Sequence, residues 1–207
     1  MRLFSYKLIR DYGFAPNPFP PYCTLATCKP IIRLHAQIGD WVVGIGSCAK
    51  DSLCKNKLLY AMKVEEKISY DEYWEDLRFF SKRPVMNGSK KQLYGDNIYH
   101  RLTPDAPFIQ ENSHHSLSNG AVNLLNYNRD VPGKYVLISK YYWYFGQNAI
   151  DLPKHLDIIA HVQRGYRVFG DPVLLSKFSD WISSISDTGY HGRPLKFDTG
   201  FERYSGK

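Results

Sequence analysis

The sequence contains no apolar stretch that could span a membrane. Among its 207 residues, the longest uncharged stretch of apolar character runs from Phe14 to Cys28, and it contains four prolines. A membrane-spanning helix needs about 20 consecutive apolar residues without such breaks. The N-terminal segment from Met1 to Lys7 also lacks the apolar core of an export signal. These absences predict a cytoplasmic protein that does not contact a membrane.

Established catalytic and cofactor signatures are absent as well. The chain has no glycine-rich phosphate loop ending in Gly-Lys-Ser or Gly-Lys-Thr, no His-Glu-x-x-His and no Gly-x-Ser-x-Gly. The run Gly44-Ile45-Gly46-Ser47 is too short for a dinucleotide-binding fingerprint. The sequence therefore predicts no cofactor, and no motif assigns it to an enzyme class.

Cysteines are few, and their spacing does not mark a metal site. Four residues separate Cys23 from Cys28, and five separate Cys48 from Cys54. Paired zinc ligands are usually separated by about two to four residues, so only the first pair falls within that range. No cysteine and histidine have a spacing that marks a nucleophile and its base. We expect free thiols and no metal, with a structural metal or a disulfide as less favoured alternatives.

Positive charge is concentrated in one part of the chain. There are 27 lysines and arginines against 20 aspartates and glutamates, a formal net charge of +7. The window from Arg78 to Arg101 holds six basic residues and one acid, Asp96, and so accounts for +5 of this total. Such a cluster is typical of phosphate binding, because each bound phosphate releases counterions. A solvated loop is the alternative. The residues predicted to contact phosphates are Arg78, Lys82, Arg83, Lys90, Lys91 and Arg101.

Hydrophobic periodicity predicts both strands and helices. A helix begins at the capping box of Ser69 and ends before Pro84, and an amphipathic helix begins at Pro172. The pattern between Pro84 and Asn119 predicts mostly loop. Strands are predicted at 2–10, 31–35, 41–46, 58–65, 135–142 and 161–169.

This order of elements favours an α+β fold in a single domain over residues 1–207. Strands and helices do not alternate regularly, so we expect a mostly antiparallel, barrel-like sheet with a few flanking helices and a long central loop. Residues 78–119 form the inserted basic loop region in this prediction. Residues 188–207 form a surface tail.

The segment from Tyr94 to Arg101 is the richest in polar and aromatic side chains. It contains the acid Asp96, the amide Asn97, the phenol Tyr99 and the imidazole His100. Amides and carboxylates can read the edge of a base, and an aromatic ring can stack on one. The alternative is a tight turn whose flanking rings lie in the core.

Two further patterns are candidates for a binding site. Side-chain alternation over residues 141–145 sends Tyr142 and Tyr144 to one face of a strand and the other rings to the opposite face. One face belongs to the core, and the other could line an aromatic pocket. The adjacent His114 and His115 could ligate a metal or transfer protons, but on an extended chain they would point apart, which favours a hydrogen-bonding role in a loop.

Several of these stretches together resemble the nucleotide modification associated domain 2 family. The specific parts are Asp11 to Phe19, Tyr22 to Pro30 and Gly95 to Arg101, and the run Gly39 to Gly44 is a weaker match. The likeness covers nearly the whole chain. It implies a bacterial or phage-associated protein linked to the modification of nucleic-acid bases, and it supplies no catalytic residues.

A weaker similarity is to barrel domains of the pseudouridine-synthase-and-archaeosine-transglycosylase (PUA) type. There too a Gly-Asp turn leads into a strand, which Gly39-Asp40-Trp41 matches, and a later strand carries a Val-Glu pattern, which Val64-Glu65 matches. This similarity lies at the level of the fold, and it implies a PUA-like barrel with a base-binding pocket.

Three hypotheses about function follow. The leading one is a protein that binds nucleic acid or a nucleotide and recognises a base, modified or unmodified, in an aromatic pocket. The second is an enzyme that modifies or hydrolyses a nucleotide or base, with Asp96, His100 or Cys23 as acid, base or nucleophile. The third is a protein–protein module of a modification or defence system. The predicted base-binding residues are Asn17, Trp41, Asn97, Tyr99 and Tyr144.

Overall fold

A six-stranded mixed sheet organises the chain in the computed structural model, which describes residues 1–47, 54–163, 165–185 and 187–206. Strands are numbered here in chain order. In spatial order the sheet consists of β10 (Tyr166–Phe169), β1 (Leu3–Leu8), β3 (Trp41–Gly46), β4 (Leu58–Lys63), β9 (Tyr142–Tyr144) and β11 (Gly189–Tyr190). The pairs β1–β3 and β9–β11 are parallel, and the other three pairs are antiparallel.

Two smaller sheets and five α-helices complete the described elements. One sheet has the antiparallel order β2 (Cys23–Leu25), β8 (Tyr135–Ser139) and β5 (Glu66–Ser69), and the other pairs β6 (Tyr99–His100) with β7 (Ile109–Gln110). The helices are α1 (Pro30–His35), α2 (Tyr70–Glu75), α3 (Lys90–Leu93), α4 (Leu124–Asp130) and α5 (Pro172–Ile185). Short 3₁₀ helices lie at Leu77–Lys82, Val131–Gly133, Gly146–Asn148 and Lys154–Ile159.

The architecture is therefore a mixed α+β fold, as predicted, in which most strand pairs are antiparallel. The described strands do not close into a barrel, because the large sheet ends at the edge strands β10 and β11. The finer expectation of a PUA-like barrel is thus not confirmed. No described helix is long and apolar enough to cross a bilayer.

Side-chain alternation in the central strands divides the core into two layers. Trp41 of β3 and Trp143 of β9 pack on the face that α5 covers. Val42, Tyr142 and Tyr144 point to the opposite face and pack with residues of β2 and α1. The alternation predicted for residues 141–145 is confirmed. It follows that Trp41 and Tyr144 lie on opposite faces of one sheet.

The strand predicted at 31–35 is wrong, because these residues form helix α1. Pro30 occupies the first turn, where its missing N–H costs no hydrogen bond and its fixed φ suits a helix. The buried Arg33 then joins distant parts of the chain. Its guanidinium donates to the hydroxyl of Tyr70 (2.6 Å) and to the carbonyl oxygens of Tyr135 (2.8 Å) and Asp130 (2.6 Å). These tertiary contacts outweigh the strand preference of the two isoleucines.

The predicted start signals of two helices are confirmed. Ser69 and Glu72 form the reciprocal capping box at the start of α2, and Pro172 opens α5. Helix α2, which Ser69 caps, is shorter than predicted. It ends at Glu75, and a 3₁₀ helix begins at Leu77, whose side chain is exposed.

The region predicted to be mostly loop contributes to the core. Within 84–119 the structure forms α3, β6 and β7, and the side chains of Tyr94, Ile98 and Tyr99 belong to a third hydrophobic cluster. The C-terminal segment also packs against the domain, since β11 pairs with β9 and the N–H of Tyr204 donates to the carbonyl oxygen of His114 (2.8 Å).

Candidate active site

A cavity of about 400 Å³ opens on the side of the domain where strand β1 ends. The chain after β1 forms one wall, the turn between β2 and α1 forms another, and the 114–115 turn and the C-terminal segment complete it. Its size is that of a typical small-molecule site. The lining residues are Lys7, Leu8, Ile9, Arg10, Tyr12, Phe14, Ala15, Cys28, Lys29, His114, His115, Arg129 and Tyr204.

Cys28 stands at a strained turn between strand β2 and helix α1. Its φ is 56° and that of Lys29 is 40°, so two consecutive residues with Cβ atoms adopt the left-handed conformation. Each such residue costs of order 1–3 kcal/mol and persists only where its surroundings enforce it. Here the N–H of Cys28 donates to Asp130 Oδ1 (2.8 Å), and Arg33 Nε donates to the Cys28 carbonyl oxygen (2.8 Å). A strained strand–turn–helix junction is also how hydrolases with a nucleophile elbow present their nucleophile.

The thiol of Cys28 faces a histidine that is itself oriented by a carboxylate. The distance from Cys28 Sγ to His115 Nε2 is 3.7 Å, and His115 Nδ1 donates to Asp130 Oδ2 over 2.7 Å. A nucleophile, a base and a group that orients the base form the arrangement that activates cysteine in covalent catalysis. Cys28 is partly exposed to the cavity, whereas His115 and Asp130 are buried. The chemistry is therefore directed toward the cavity.

Asp130 is fixed as the anion of this group. Burial alone would raise its pKa, but the positive charge of His115, the hydrogen bond from His115 and the nearby Arg33 hold the pKa below its usual value. The hydroxyl of Tyr99 also donates to Asp130 Oδ2 (3.2 Å). Asp130 is the last residue of helix α4. Arg33 and Tyr70 donate hydrogen bonds to the Asp130 carbonyl oxygen, which fixes the position of this helix.

The charge state of His115 follows from these neighbours. Burial opposes its protonation, but the charge of Asp130, that of Cys28 and the hydrogen bonds to both raise the pKa of His115 to about 10. The imidazole therefore carries a proton on both nitrogens at neutral pH, as an imidazolium paired with Asp130 and with its Nε2–H directed at the Cys28 sulfur.

We expect His115 to make the stability of the fold depend on pH. A histidine whose pKa rises from 6.5 unfolded to about 10 folded contributes stability fully below pH 6.5 and loses it as pH rises toward 10. Urea unfolding of the wild type and of His115→Gln between pH 6 and pH 9.5 measures this contribution. The difference in the free energy of unfolding should shrink steadily as pH rises. A constant difference would refute the assigned charge state.

The neighbouring His114 has the opposite electrostatic character. Burial and the charge of His115 lower its pKa to about 3, so it is neutral, and its Nδ1–H donates to the Glu202 carbonyl oxygen (2.5 Å). Residues 114 and 115 lie in a turn rather than on an extended strand. The expectation that their side chains point apart is therefore wrong, and both rings line the same cavity with centroids 5.5 Å apart.

Aromatic rings surround the histidine pair. The ring of Phe14 lies 4.6 Å from that of His115, and the ring of Tyr204 lies 5.6 Å from it. Tyr12 packs 5.0 Å from His114. These rings exclude water from His115 and give the cavity flat apolar walls of the kind on which a base can stack.

A metal ion is the other chemistry that this group of side chains could support. Cys28, His115 and Asp130 each offer one ligand atom within 4.8 Å of the others. However, the carboxylate of Asp130 contacts Nδ1 of His115, on the opposite side of the ring from the thiol. A metal bound to Sγ and Nε2 would have two protein ligands, whereas zinc sites usually have three or four. The geometry favours activation of the thiol by the histidine.

The three residues predicted as catalytic lie outside this cavity. Cys23 is fully buried, and burial raises the pKa of its thiol far above the usual range. Asp96 accepts hydrogen bonds from the hydroxyls of Thr24 (2.7 Å) and Tyr73 (2.8 Å), and burial raises its pKa. His100 pairs with Glu111 (2.8 Å between Nε2 and Oε1) and stacks on Trp74 at 3.9 Å.

The residues predicted to bind a base are buried at separate places. Asn17 and Asn97 donate to the carbonyl oxygens of Tyr94 (3.0 Å) and Tyr73 (2.9 Å), and the hydroxyl of Tyr99 contacts Asp130 from the core side. Trp41 and Tyr144 are separated by the large sheet. Among the five, Tyr99 alone touches the Cys28–His115–Asp130 group.

The six cations predicted to bind phosphate already have partners within the fold. Arg78 pairs with Glu66 and Asp76, and Arg101 pairs with Asp71.

The remaining four predicted phosphate-binding cations contact carbonyl oxygens or aromatic rings of the fold. Lys82 is buried, and its Nζ donates to the carbonyl oxygens of Asn17, Phe19 and Tyr22 and to Asn17 Oδ1, which anchors the proline-rich loop. Lys90 donates to two carbonyl oxygens of the C-terminal segment, Arg83 lies 3.7 Å over the ring of Trp74, and Lys91 lies over Phe19 at 5.6 Å.

The candidate nucleophile, base and orienting acid were not predicted from the sequence. They are separated by 87 and 15 residues, and no local motif joins them. The hydrogen bonds that Arg33 and Asp130 make to distant parts of the chain bring these three side chains together. The one available signal was that Cys28-Lys29-Pro30 places a cysteine two residues before a proline suited to a first helical turn.

Comparison with known proteins gives one match. A family model described as nucleotide modification associated domain 2 matches residues 1–201. No curated protein and no solved structure matches the chain.

Proposed function

Since the chain belongs to the nucleotide modification associated domain 2 family, which the match over residues 1–201 shows, we propose that it is an enzyme of nucleotide modification that uses Cys28 as its nucleophile. The family links the chain to nucleotide modification, and the cavity supplies a reactive group. The substrate in this proposal is a nucleotide, either free or within a strand.

One observation carries this proposal. Cys28 Sγ lies 3.7 Å from His115 Nε2, and His115 Nδ1 lies 2.7 Å from Asp130 Oδ2, with the thiol exposed to a cavity of about 400 Å³. In this proposal the proton given up by the thiol resides on His115 Nε2, and Asp130 stabilises the imidazolium that carries it. The strained backbone at Cys28 holds the sulfur at the cavity wall.

The first chemical step needs no reactant beyond the thiol and the nucleotide. The sulfur of Cys28 forms a bond to an electrophilic ring carbon of the base, and the π-electron pair of that carbon moves to the neighbouring ring atom. The proton that His115 took from the thiol neutralises the new anion. Nothing leaves in this step, so the adduct has the combined mass of protein and nucleotide.

A second candidate function is recognition of a nucleotide without chemistry. The rings of Tyr12, Phe14 and Tyr204 favour it, because aromatic walls bind bases irrespective of any reaction. The cavity holds one base rather than a duplex, so a paired base would first have to leave its stack, at a cost of a few kcal/mol. Under this alternative the cysteine is dispensable.

Protection of Cys28 from alkylation tests whether nucleotides occupy the cavity. We expect iodoacetamide to label Cys28 at pH 7.5, because it alone among the described cysteines is partly exposed. A 2′-deoxynucleoside monophosphate at saturating concentration should slow this labelling at least about tenfold, since a bound ligand covers the thiol. Peptide mass spectrometry measures the rate for each cysteine.

The same chain supplies the control. Cys23 and Cys54 are buried and should remain unlabelled with or without nucleotide. Cys48 lies outside the described residues, so the measurement uses a Cys48→Ser background. Labelling of Cys28 at the same rate with and without every nucleotide tested would count against the proposed function.

A further inference from the structure

The lining of the cavity is rich in positive charge. Besides the His115 imidazolium it includes four lysines and arginines, which are Lys7, Arg10, Lys29 and Arg129, and no carboxylate among the described residues. The buried carboxylate of Asp130 lies behind His115, and its negative charge is paired with that imidazole. Elsewhere the fold pairs cations such as Arg78 and Arg101 with acids.

Lys29 is the most informative of the four. Its side chain is half-buried, and its ammonium lies 4.3 Å from the centroid of the Tyr6 ring. Among the described residues it has no carboxylate partner and no hydrogen-bond acceptor. Burial lowers its pKa, and the neighbouring Cys28 restores only part of the loss. A half-buried cation without an acid is unfavourable, and an anionic ligand would relieve that cost.

Arg10 also lines the cavity, and its side chain is exposed. Its guanidinium lies 4.8 Å from the centroid of the Tyr204 ring, and it forms no ion pair with a described residue. A guanidinium stacked on a ring keeps its N–H groups available to a second partner.

The other two cations contact neutral oxygens. Arg129 donates to the hydroxyl of Tyr204 (2.9 Å) and to the Gly206 carbonyl oxygen (2.5 Å), and Lys7 donates to Asn56 Oδ1 (2.6 Å). They hold the C-terminal segment and a neighbouring loop in place, and they add positive potential to the mouth of the cavity.

We propose that Lys29 and Arg10 bind the phosphate of the nucleotide whose base the aromatic walls hold next to Cys28. The inference rests on the proposed function, which it deepens by naming the substrate class: a nucleotide that carries its phosphate, rather than a free base or a nucleoside. The cationic pair holds the anion, and the rings of Tyr12, Phe14 and Tyr204 contact the base. Lys29 follows Cys28 directly in the chain, so phosphate binding also positions the base against the thiol.

Calorimetry with the full chain carrying Cys28→Ser measures this binding apart from any reaction. We expect 2′-deoxynucleoside 5′-monophosphates to bind about 10- to 100-fold more tightly than the corresponding nucleosides, the range expected of hydrogen bonds to a charged group. Adding Lys29→Met and Arg10→Gln should reduce monophosphate affinity to that of the nucleosides and flatten its salt dependence. Lys177→Met removes an exposed positive charge on α5, outside the cavity, and should leave both unchanged.

Two further ligands separate the sources of phosphate. Inorganic phosphate alone should bind weakly, and its binding should depend on Lys29. If a single-stranded tetranucleotide binds through Lys29 and the monophosphates do not, the phosphate assignment stands and the substrate is a nucleotide within a strand. Nucleosides that bind as tightly as monophosphates would overturn the inference, as would unchanged affinity in the Lys29→Met and Arg10→Gln protein.

These outcomes are distinct from a failure of the proposed function. Phosphate-dependent binding without any covalent adduct on Cys28 would leave the inference about phosphate intact and reject the enzyme. If nucleosides form the adduct as efficiently as monophosphates do, the proposed enzyme stands and the inference about phosphate is rejected.

Discussion

Replacing Cys28 with serine should abolish the covalent reaction with nucleotide while leaving the fold intact. Serine has almost the shape of cysteine, so the left-handed turn and the hydrogen bond from the residue 28 N–H to Asp130 are retained. A hydroxyl is a far weaker nucleophile than a thiol at neutral pH. Loss of a catalytic nucleophile typically lowers the rate by a factor of roughly 1,000 or more. Acid-quenched intact-mass spectrometry after incubation with nucleoside monophosphates measures the adduct.

Cys23→Ser is the matched control for this change. Cys23 is the cysteine predicted from the sequence as a candidate nucleophile, and it is fully buried away from the cavity. Its replacement should leave the rate of adduct formation unchanged. If Cys28→Ser forms the adduct as fast as the wild type, the nucleophile has been misassigned.

Replacing Asp130 with asparagine should reduce the rate almost as far without removing the nucleophile. The amide oxygen of asparagine can still accept from the Cys28 N–H, which turns the amide NH₂ toward His115 Nδ1. The imidazole must then carry its proton on Nε2, which faces the thiol and can no longer accept the thiol proton. The equivalent change in a serine protease triad lowers kcat about 10⁴-fold for the same reason. We expect a loss of roughly 10³- to 10⁴-fold in adduct formation.

Asp96→Asn separates this effect from general loss of a buried acid. Asp96 is as buried as Asp130 and also accepts two side-chain hydrogen bonds, but it lies outside the cavity. Both variants lose some stability, which urea unfolding measures, and only Asp130→Asn should lose activity. Equal activity in the two variants would show that His115 does not depend on Asp130.

The sequence predicted those parts of the fold whose signals are local. The alternation of Trp143 and Tyr144, the capping box of Ser69 and the proline that opens α5 all rest on neighbouring residues, and the structure confirms each. Helix α1 was missed because Arg33, which is buried and joins three distant segments, gains contacts that no local pattern reveals.

The candidate site could not be predicted for a related reason. Charge density along the chain directed attention to the window from Arg78 to Arg101, but the fold pairs Arg78 and Arg101 with acids and buries Lys82. Lys29 and Arg10 appear in the sequence as isolated charges, and they share the cavity with Cys28 because β1 and the β2–α1 turn meet there. What distinguishes Lys29 and Arg10 is that they line the cavity beside Cys28 without an acidic partner among the described residues, which is a property of the folded chain.

The resemblance to the family and the geometry of the cavity contribute separate parts of the account. The family match over residues 1–201 points to nucleotide modification and gives no mechanism. The Cys28–His115–Asp130 group gives a mechanism and no substrate. The aromatic and cationic walls around Cys28 connect the two, since they suit the base and the phosphate of one nucleotide.

Locating the covalent nucleotide on the chain determines whether Cys28 is the nucleophile. The wild-type protein is incubated with each 2′-deoxynucleoside monophosphate, quenched in acid and digested, and the modified peptide is identified by tandem mass spectrometry. We expect the nucleotide mass on the peptide that contains Cys28, at a rate that falls sharply in His115→Gln. A nucleotide attached to another cysteine, or an unmodified Cys28 in a cavity that nucleotides demonstrably fill, would contradict it.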